Sequence, residues 1–243
     1  GMKAYAIEEF GLENLKQVER PQPEPGHGEV LIKLKAWSIN YRDLLVIKGH
    51  YNPKMPLPRI PFSDGVGEVV GIGEGVTRVK VGDRVAGAFM QKWIAGDPGE
   101  AGARSALGGE IDGLLAEYAV LNQEGLVHPP EHLSDEEAAT LPCAGVTAWN
   151  ALVEQKQVKA GETVLLLGTG GVSLFGLQLA RMHGARIIIT SSSDEKLDRA
   201  RQLGAHETIN YKTTPDWEKK VLELTDRQGV DHVVEVGGAG TLP

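Results

Sequence analysis

The sequence predicts an α/β protein of two domains: an all-β, barrel-like domain over residues 1–125 and a doubly wound parallel sheet over residues 126–243. Three observations carry this expectation. The first half is turn-rich, and its apolar residues alternate with period two. The second half alternates short apolar runs with segments of helical period. Between one such run and one such segment stands a burst of glycines, Gly168-Thr169-Gly170-Gly171.

In the first half, "PGHGEVLIKLKAWSIN" places Val30, Ile32, Leu34 and Ala36 on one face of a strand. Clusters of Pro and Gly at 21–28, 49–61 and 96–102 mark loops. "GVGEVVGIGEGVTRVKVGDRVAG" predicts short strands joined by tight turns, one of them at Val81-Gly82-Asp83. The character changes near residue 126. Ser134 with Glu137 three residues on forms a capping box that opens a helix. Strands are then predicted at 163–168, 186–191, 207–210 and 231–236, and helices at 172–183, 195–203 and 216–226. Such alternation implies parallel βαβ units with right-handed crossovers. In the doubly wound strand order 3-2-1-4-5-6, two strands follow the fourth. The sheet is therefore expected to be incomplete at residue 243, with its fourth strand an apolar edge.

Composition removes several classes of function. Acids outnumber bases 33 to 25, a net charge of −8, which is the wrong sign for a nucleic-acid partner and gives no support to an anionic membrane surface. No apolar run reaches the roughly 18 residues of a membrane span. Cys143 is the one cysteine, so no intrachain disulfide can form, and a reducing, cytoplasmic setting is the expectation.

The glycine burst follows a predicted strand and opens a predicted helix, which is the context a dinucleotide fingerprint requires. Gly168 allows the tight turn, Gly170 lets the backbone approach a pyrophosphate, and the N–H groups of Gly171 and Val172 begin the helix that faces it. Ser173 stands where a third glycine is usual, and Ser is nearly as small. About 20 residues further on, an NAD site places an acid for the ribose hydroxyls. Here Ser191, Ser192 and Ser193 stand instead, with Lys196 just after and Tyr211 at the end of the third strand. Hydroxyls and an ammonium suit a 2′-phosphate that a carboxylate would repel, so NADP(H) is the expected cofactor. Lys196 also reads as an ordinary helix lysine. Asp194 is a rival ribose acid, although it is better placed as a helix N-cap.

Together these segments resemble the medium-chain dehydrogenase/reductase superfamily, in particular its zinc-free quinone oxidoreductase and zinc-type alcohol dehydrogenase-like branch. The resemblance runs through "PGHGEVLIKLKAWSINYRDLLVIKGHY", "IPFSDGVGEVVGIGEGV", "VGDRVAG", "LPCAGVTAWNAL", "LLLGTGGVSLFGLQLA" and "SSSDEKLDRARQLGAHETINY". It implies a GroES-like β-barrel domain, a Rossmann domain and a return segment into the first domain. It implies hydride chemistry on a small-molecule substrate and leaves room for a homodimer. It also implies site residues. Asn40 is similar to a polar anchor beside nicotinamide and substrate, and Asp43 to its brace. Tyr51 is similar to a proton-donating tyrosine, and Thr147 to a cofactor-contacting threonine. Gly237, with Gly238, falls at the carboxyl edge where such folds bind ligands. Each has a plainer reading: turn residue, helix-start acid, packing aromatic, helix hydroxyl or turn glycine.

Alcohol dehydrogenases of that superfamily hold catalytic zinc with a cysteine, a His-Glu pair and a second cysteine. The matching positions here are Asn40, Ser63 with Asp64, and Cys143, so only Cys143 keeps a ligand type, and no metal is expected. Zinc lowers the pKa of bound water from about 15.7 to about 7, on the order of 12 kcal/mol of help toward an oxyanion. A quinone or an α,β-unsaturated carbonyl needs less, because it delocalises the incoming charge. The expected activity is thus NADPH-dependent, zinc-independent reduction of such an acceptor. Alternatives are an enzyme of alcohols and aldehydes, or a non-catalytic NADPH-binding protein.

Overall fold

In the computed structural model, residues 1–238 are described. The chain divides into two compact units, Gly1–Cys143 and Ala144–Pro243.

In the first unit, β1 (Met2–Ile7) and β2 (Leu15–Arg20) form an antiparallel ribbon. There follow β3 (Glu29–Ser38), α1 (Tyr41–Ile47), β4 (Asp64–Ile72), β5 (Arg84–Gly87), α2 (Gly99–Ala103), β6 (Tyr118–Asn122), β7 (Leu126–Val127) and α3 (Asp135–Ala139). Five of these strands build an antiparallel sheet in the order β6-β3-β4-β5-β7. The ribbon joins it through Tyr5 N–H to Leu115 O and Glu117 N–H to Lys3 O, each 2.9 Å. This is the barrel-like domain that the alternation predicts. Val30, Ile32, Leu34 and Ala36 are all buried, while Lys33 and Lys35 face out. The first three meet Val69, Val85, Leu107, Leu114 and Leu121 in one core. The predicted turn near Gly82 closes with Asp83 N–H to Lys80 O at 3.1 Å.

The composition change predicts a domain boundary at 125/126, yet residues 126–143 stay with the first unit. The reason is packing: α3 lies against β3 and β4, with Ala138 and Ala139 buried beside Ala36, Val66 and Ala86. Its capping box forms as expected, Glu137 N–H donating to Ser134 Oγ and Ser134 N–H to Glu137 Oε1.

The second unit holds α4 (Val146–Trp149), a π-helical stretch at Asn150–Gln155, β8 (Thr163–Leu167), α5 (Gly171–Met182), β9 (Arg186–Ser191), α6 (Asp194–Leu203), β10 (Glu207–Asn210), α7 (Trp217–Leu224) and β11 (His232–Val234). All four strands are parallel, in the order β10-β9-β8-β11, which is 3-2-1-4. Both sheet faces are covered, so the strands read as continuous apolar runs. Val164, Leu166, Ile187 and Ile189 pack with Leu177, Ala180, Leu197 and Ala200 on one side. Leu165, Leu167, Ile188 and Ile209 pack with Val221 and Trp217 on the other. The fourth strand is shorter than its predicted 231–236, because only His232–Val234 pairs with β8.

Candidate active site

The glycine turn follows directly from the end of β8. Gly168 has φ +90°, a conformation that costs an L-residue about 1–2 kcal/mol. Its N–H donates to Thr190 Oγ1 at 3.2 Å. Gly170 is the N-cap of α5 and offers no side-chain cap. Among the described residues, a Cβ on Gly168 or Gly170 would meet no atom within 4 Å beyond its chain neighbours. Open space beside Gly168 and Gly170, next to a helix N-terminus with no side-chain cap, fits a pyrophosphate. Ser173 is buried and donates its hydroxyl to Leu167 O at 3.2 Å, so the residue in the third-glycine position also ties helix to strand. Gly176 keeps the helix close, since a Cβ there would lie 3.1 Å from Leu166. Val172 packs partly against the core, and Thr147 stands exposed on α4, which packs on α5.

The selector residues gather at the carboxyl ends of β9 and β10. Ser191 is buried; its Oγ is 3.1 Å from Thr169 Oγ1 and accepts from Ser193 N–H at 3.3 Å. Ser192 is half-buried, Lys196 is exposed in the first turn of α6, and Tyr211 is half-buried with its N–H on Ser191 O at 3.1 Å. The N-cap of α6 is Ser193, whose Oγ accepts from Lys196 N–H at 3.3 Å, and not Asp194 as the sequence suggests. The carboxylate of Asp194 instead accepts from Asn210 Nδ2 at 2.8 Å, a tertiary contact that competes with capping. Gly237 is exposed after β11.

The first unit carries a second polar cluster, under α1. Asn40 is the N-cap of α1, and its N–H donates to Asp43 Oδ2 at 2.8 Å. Asp43 is fully buried, with Oδ1 lacking a hydrogen-bond partner. Burial pushes its carboxyl up, against the pull of the Asn40 N–H and the Arg42 charge. Asp64, at the start of β4, is equally buried. It accepts from Ser63 Oγ at 3.0 Å and from Cys143 N–H at 3.2 Å. Its pKa is raised to about 6, chiefly by burial and in small part by Asp43, against help from the Asn40 amide, Ser63 and Cys143. Among the described residues, Asn40 Nδ2 is buried with no well-formed hydrogen bond. Burial and the neighbouring acids push the Cys143 thiol up to about 11, so it stays protonated.

Asn40, Asp43, Asp64 and Cys143 therefore come together, and Tyr51, half exposed on the loop after α1, meets the Arg42 guanidinium. One cysteine beside an amide, a hydroxyl and a carboxyl does not match the set of thiolate and imidazole donors that a catalytic zinc takes. Among the described residues, no group of three or more His, Cys, Asp and Glu is placed to hold a metal ion. The side chain that sequence patterns do not single out is Arg42, which touches Tyr51, Phe89, Leu107 and Asp43.

A 3-2-1-4 parallel sheet whose first strand leads through a glycine turn into a helix without a side-chain cap is the architecture of a dinucleotide-binding domain. Comparison with known proteins agrees. Residues 26–131 match the alcohol dehydrogenase GroES-like domain, and residues 171–242 match the zinc-binding dehydrogenase family. A zinc-type alcohol dehydrogenase-like protein of Schizosaccharomyces pombe is 51% identical over 236 residues, covering 96% of this chain and 68% of the relative. A solved NAD-dependent alcohol dehydrogenase superposes with TM-score 0.88 at 40% identity, over 98% of this chain and 71% of that one. A mycobacterial protein solved with NADPH gives 0.81 at 31% identity, over 99% of this chain and 68% of that one. Quinone oxidoreductases, one from Pseudomonas aeruginosa among them, also match. The chain belongs to the medium-chain dehydrogenase/reductase superfamily. It spans about two thirds of the length of its curated relatives, 68% of the first and 65% of the Pseudomonas aeruginosa protein.

Proposed function

We propose that this protein is an NADPH-dependent reductase of quinones or α,β-unsaturated carbonyls that works without a catalytic zinc. The observation that carries the proposal is the polar cluster of Asn40, Ser63, Asp64 and Cys143. It holds a single thiol and no imidazole, and its acid is already held by Ser63 Oγ and Cys143 N–H. Such a cluster supplies hydrogen bonds, not a Lewis acid, and suits an acceptor that absorbs negative charge into its own π system.

When bound, the nicotinamide supplies hydride. The chain's residues do the rest. Asn40 anchors the acceptor's oxygen, Asp43 fixes Asn40 through its N–H, and the Tyr51 phenol delivers the accompanying proton. Gly168, Thr169, Gly170, Gly171 and Val172 form the pyrophosphate turn, with Thr147 and Gly237 bordering the cofactor. Ser191, Ser192, Lys196 and Tyr211 form the adenosine end, where the exposed Lys196 ammonium favours a 2′-phosphate.

An acceptor screen with NADPH and NADH side by side tests the proposal. We expect NADPH oxidation with a quinone or enone, undiminished by a chelator. The names of several relatives favour a second reading, an alcohol dehydrogenase. Alcohol oxidation accompanied by stoichiometric bound zinc would establish that reading and overturn the first.

A further inference from the structure

Arg42 lies in the first turn of α1, a place where an arginine is ordinarily a solvated surface residue. Here its side chain is only 10% exposed. Nη1 donates to Leu107 O at 2.6 Å and lies 3.8 Å from Asp43 Oδ1. Nε and Nη2 are buried with no hydrogen-bond partner. What the guanidinium has instead is aromatic: Cζ lies 4.6 Å from the Phe89 ring centroid and 5.2 Å from that of Tyr51. Contacts of a cation with a ring strengthen when the cation is desolvated, and this one is nearly dry. Space has been left for it as well. A Cβ on Gly109 would come within van der Waals overlap of Nη2.

The Tyr51 backbone is held through its N–H to Leu45 O at 3.2 Å, and its ring is half exposed. Among the described residues, the Arg42 guanidinium is the one cation against that ring. We propose that Arg42 is a positioning residue: its guanidinium, locked by Leu107 O and Phe89, sets the orientation of the Tyr51 ring and thereby the reach of the phenol. The proposal rests on Tyr51 being the proton donor of the reading above. Lysine does not replace arginine here, because a point charge on a flexible stem cannot both bond Leu107 O and present a flat face to two rings.

The test is a double-mutant cycle in the full-length protein with a quinone acceptor and NADPH, using Arg42→Lys, Tyr51→Phe and the pair. Gly109→Ala serves as an independent variant that displaces the guanidinium without altering its charge. Tyr51→Phe is expected to lower kcat on the order of 100-fold, the range of a lost general acid. Arg42→Lys and Gly109→Ala are each expected to lower kcat about tenfold with KM for NADPH unchanged, as a misaimed donor does. Neither should lower kcat further in the Tyr51→Phe background. If Tyr51→Phe leaves kcat intact, the proton-donor reading fails and the proposal falls with it. If Tyr51→Phe is slow but Arg42→Lys or Gly109→Ala costs the same factor in that background as in the wild type, the proton-donor reading stands. In that case Arg42 is a structural brace only, and the proposal is overturned.

Discussion

Asp64→Asn separates the energetics of the buried acid from every other titration in the protein. The folded-state pKa of Asp64 is raised from 3.8 to about 6. Folding therefore takes up a proton at this site. The stability it contributes is fully present below about pH 3.8 and is lost as pH rises through about 6. The difference between about 6 and 3.8, at about 1.36 kcal/mol per pH unit, is about 3 kcal/mol. Asparagine never ionises, so the variant loses none of it. The amide oxygen can still accept from Cys143 N–H while the amide nitrogen donates to Ser63 Oγ, so any change in these two bonds adds only a constant that does not vary with pH. The stability difference between wild type and variant should thus move by about 2 kcal/mol in the variant's favour between pH 4 and pH 7.5. Urea unfolding at both pH values reads it out. Trp37 is a probe of the right unit, its indole N–H being bonded to Leu114 O at 2.6 Å. Parallel stability profiles for the two proteins across that range would show that Asp64 does not titrate there, and the account of its burial would be refuted.

Other perturbations address the cofactor turn. Gly170→Val adds a Cβ that meets no described residue within 4 Å beyond its chain neighbours, at a φ of −76° that valine accepts. Stability should change by less than about 1 kcal/mol, while NADPH affinity by fluorescence titration drops at least tenfold; an unchanged Kd would mean the space is not the ligand's. Ser173→Ala removes the bond to Leu167 O and should cost about 1 kcal/mol, seen as a fall of a few degrees in Tm. A Tm at or above wild type would show that the hydroxyl adds nothing to the helix–strand contact.

Much of the second unit is legible in the sequence because its determinants are local. A strand, a glycine that needs positive φ and a helix N-terminus all lie between Thr163 and Ser173, and the apolar runs announce strands covered on both faces. Where two local signals tie, tertiary contact decides. Ser193 and Asp194 are both good N-caps, and Asn210, sixteen residues away, takes the carboxylate of Asp194 and leaves the cap to Ser193. The first unit's site is half legible. Asn40 and Asp43 sit three residues apart and pair through a local capping box. The Asp64 carboxylate accepts from the N–H of Cys143, 79 positions away, and Arg42 packs on Phe89 and bonds the carbonyl of Leu107, 65 positions away. Nothing near either residue in the chain encodes those encounters.

The three serines after β9 look equivalent in sequence, yet the structure makes them unequal, and that inequality divides their effects on cofactor choice. The Ser191 hydroxyl is buried between Thr169 Oγ1 and Ser193 N–H, which links the glycine turn to the end of β9. Ser193 caps α6. That leaves Ser192 and the Lys196 ammonium, for which no ion pair is present among the described residues, as the groups able to meet a 2′-phosphate. Ser191→Ala should loosen the turn that both cofactors share and raise the KM for NADPH and NADH by similar factors. In the proposed reading, Lys196→Ala removes a charge-assisted contact that only NADPH would make. At about 1.5–3 kcal/mol for such a bond, the KM for NADPH should rise about 10- to 100-fold while that for NADH stays within about twofold. Ser192→Ala should act in the same direction and more weakly. Side-by-side kinetics with the two cofactors measure all three variants. An equal loss for both cofactors on removing Lys196 would move the source of selectivity elsewhere, with Tyr211, half-buried at the end of β10, the next residue to replace.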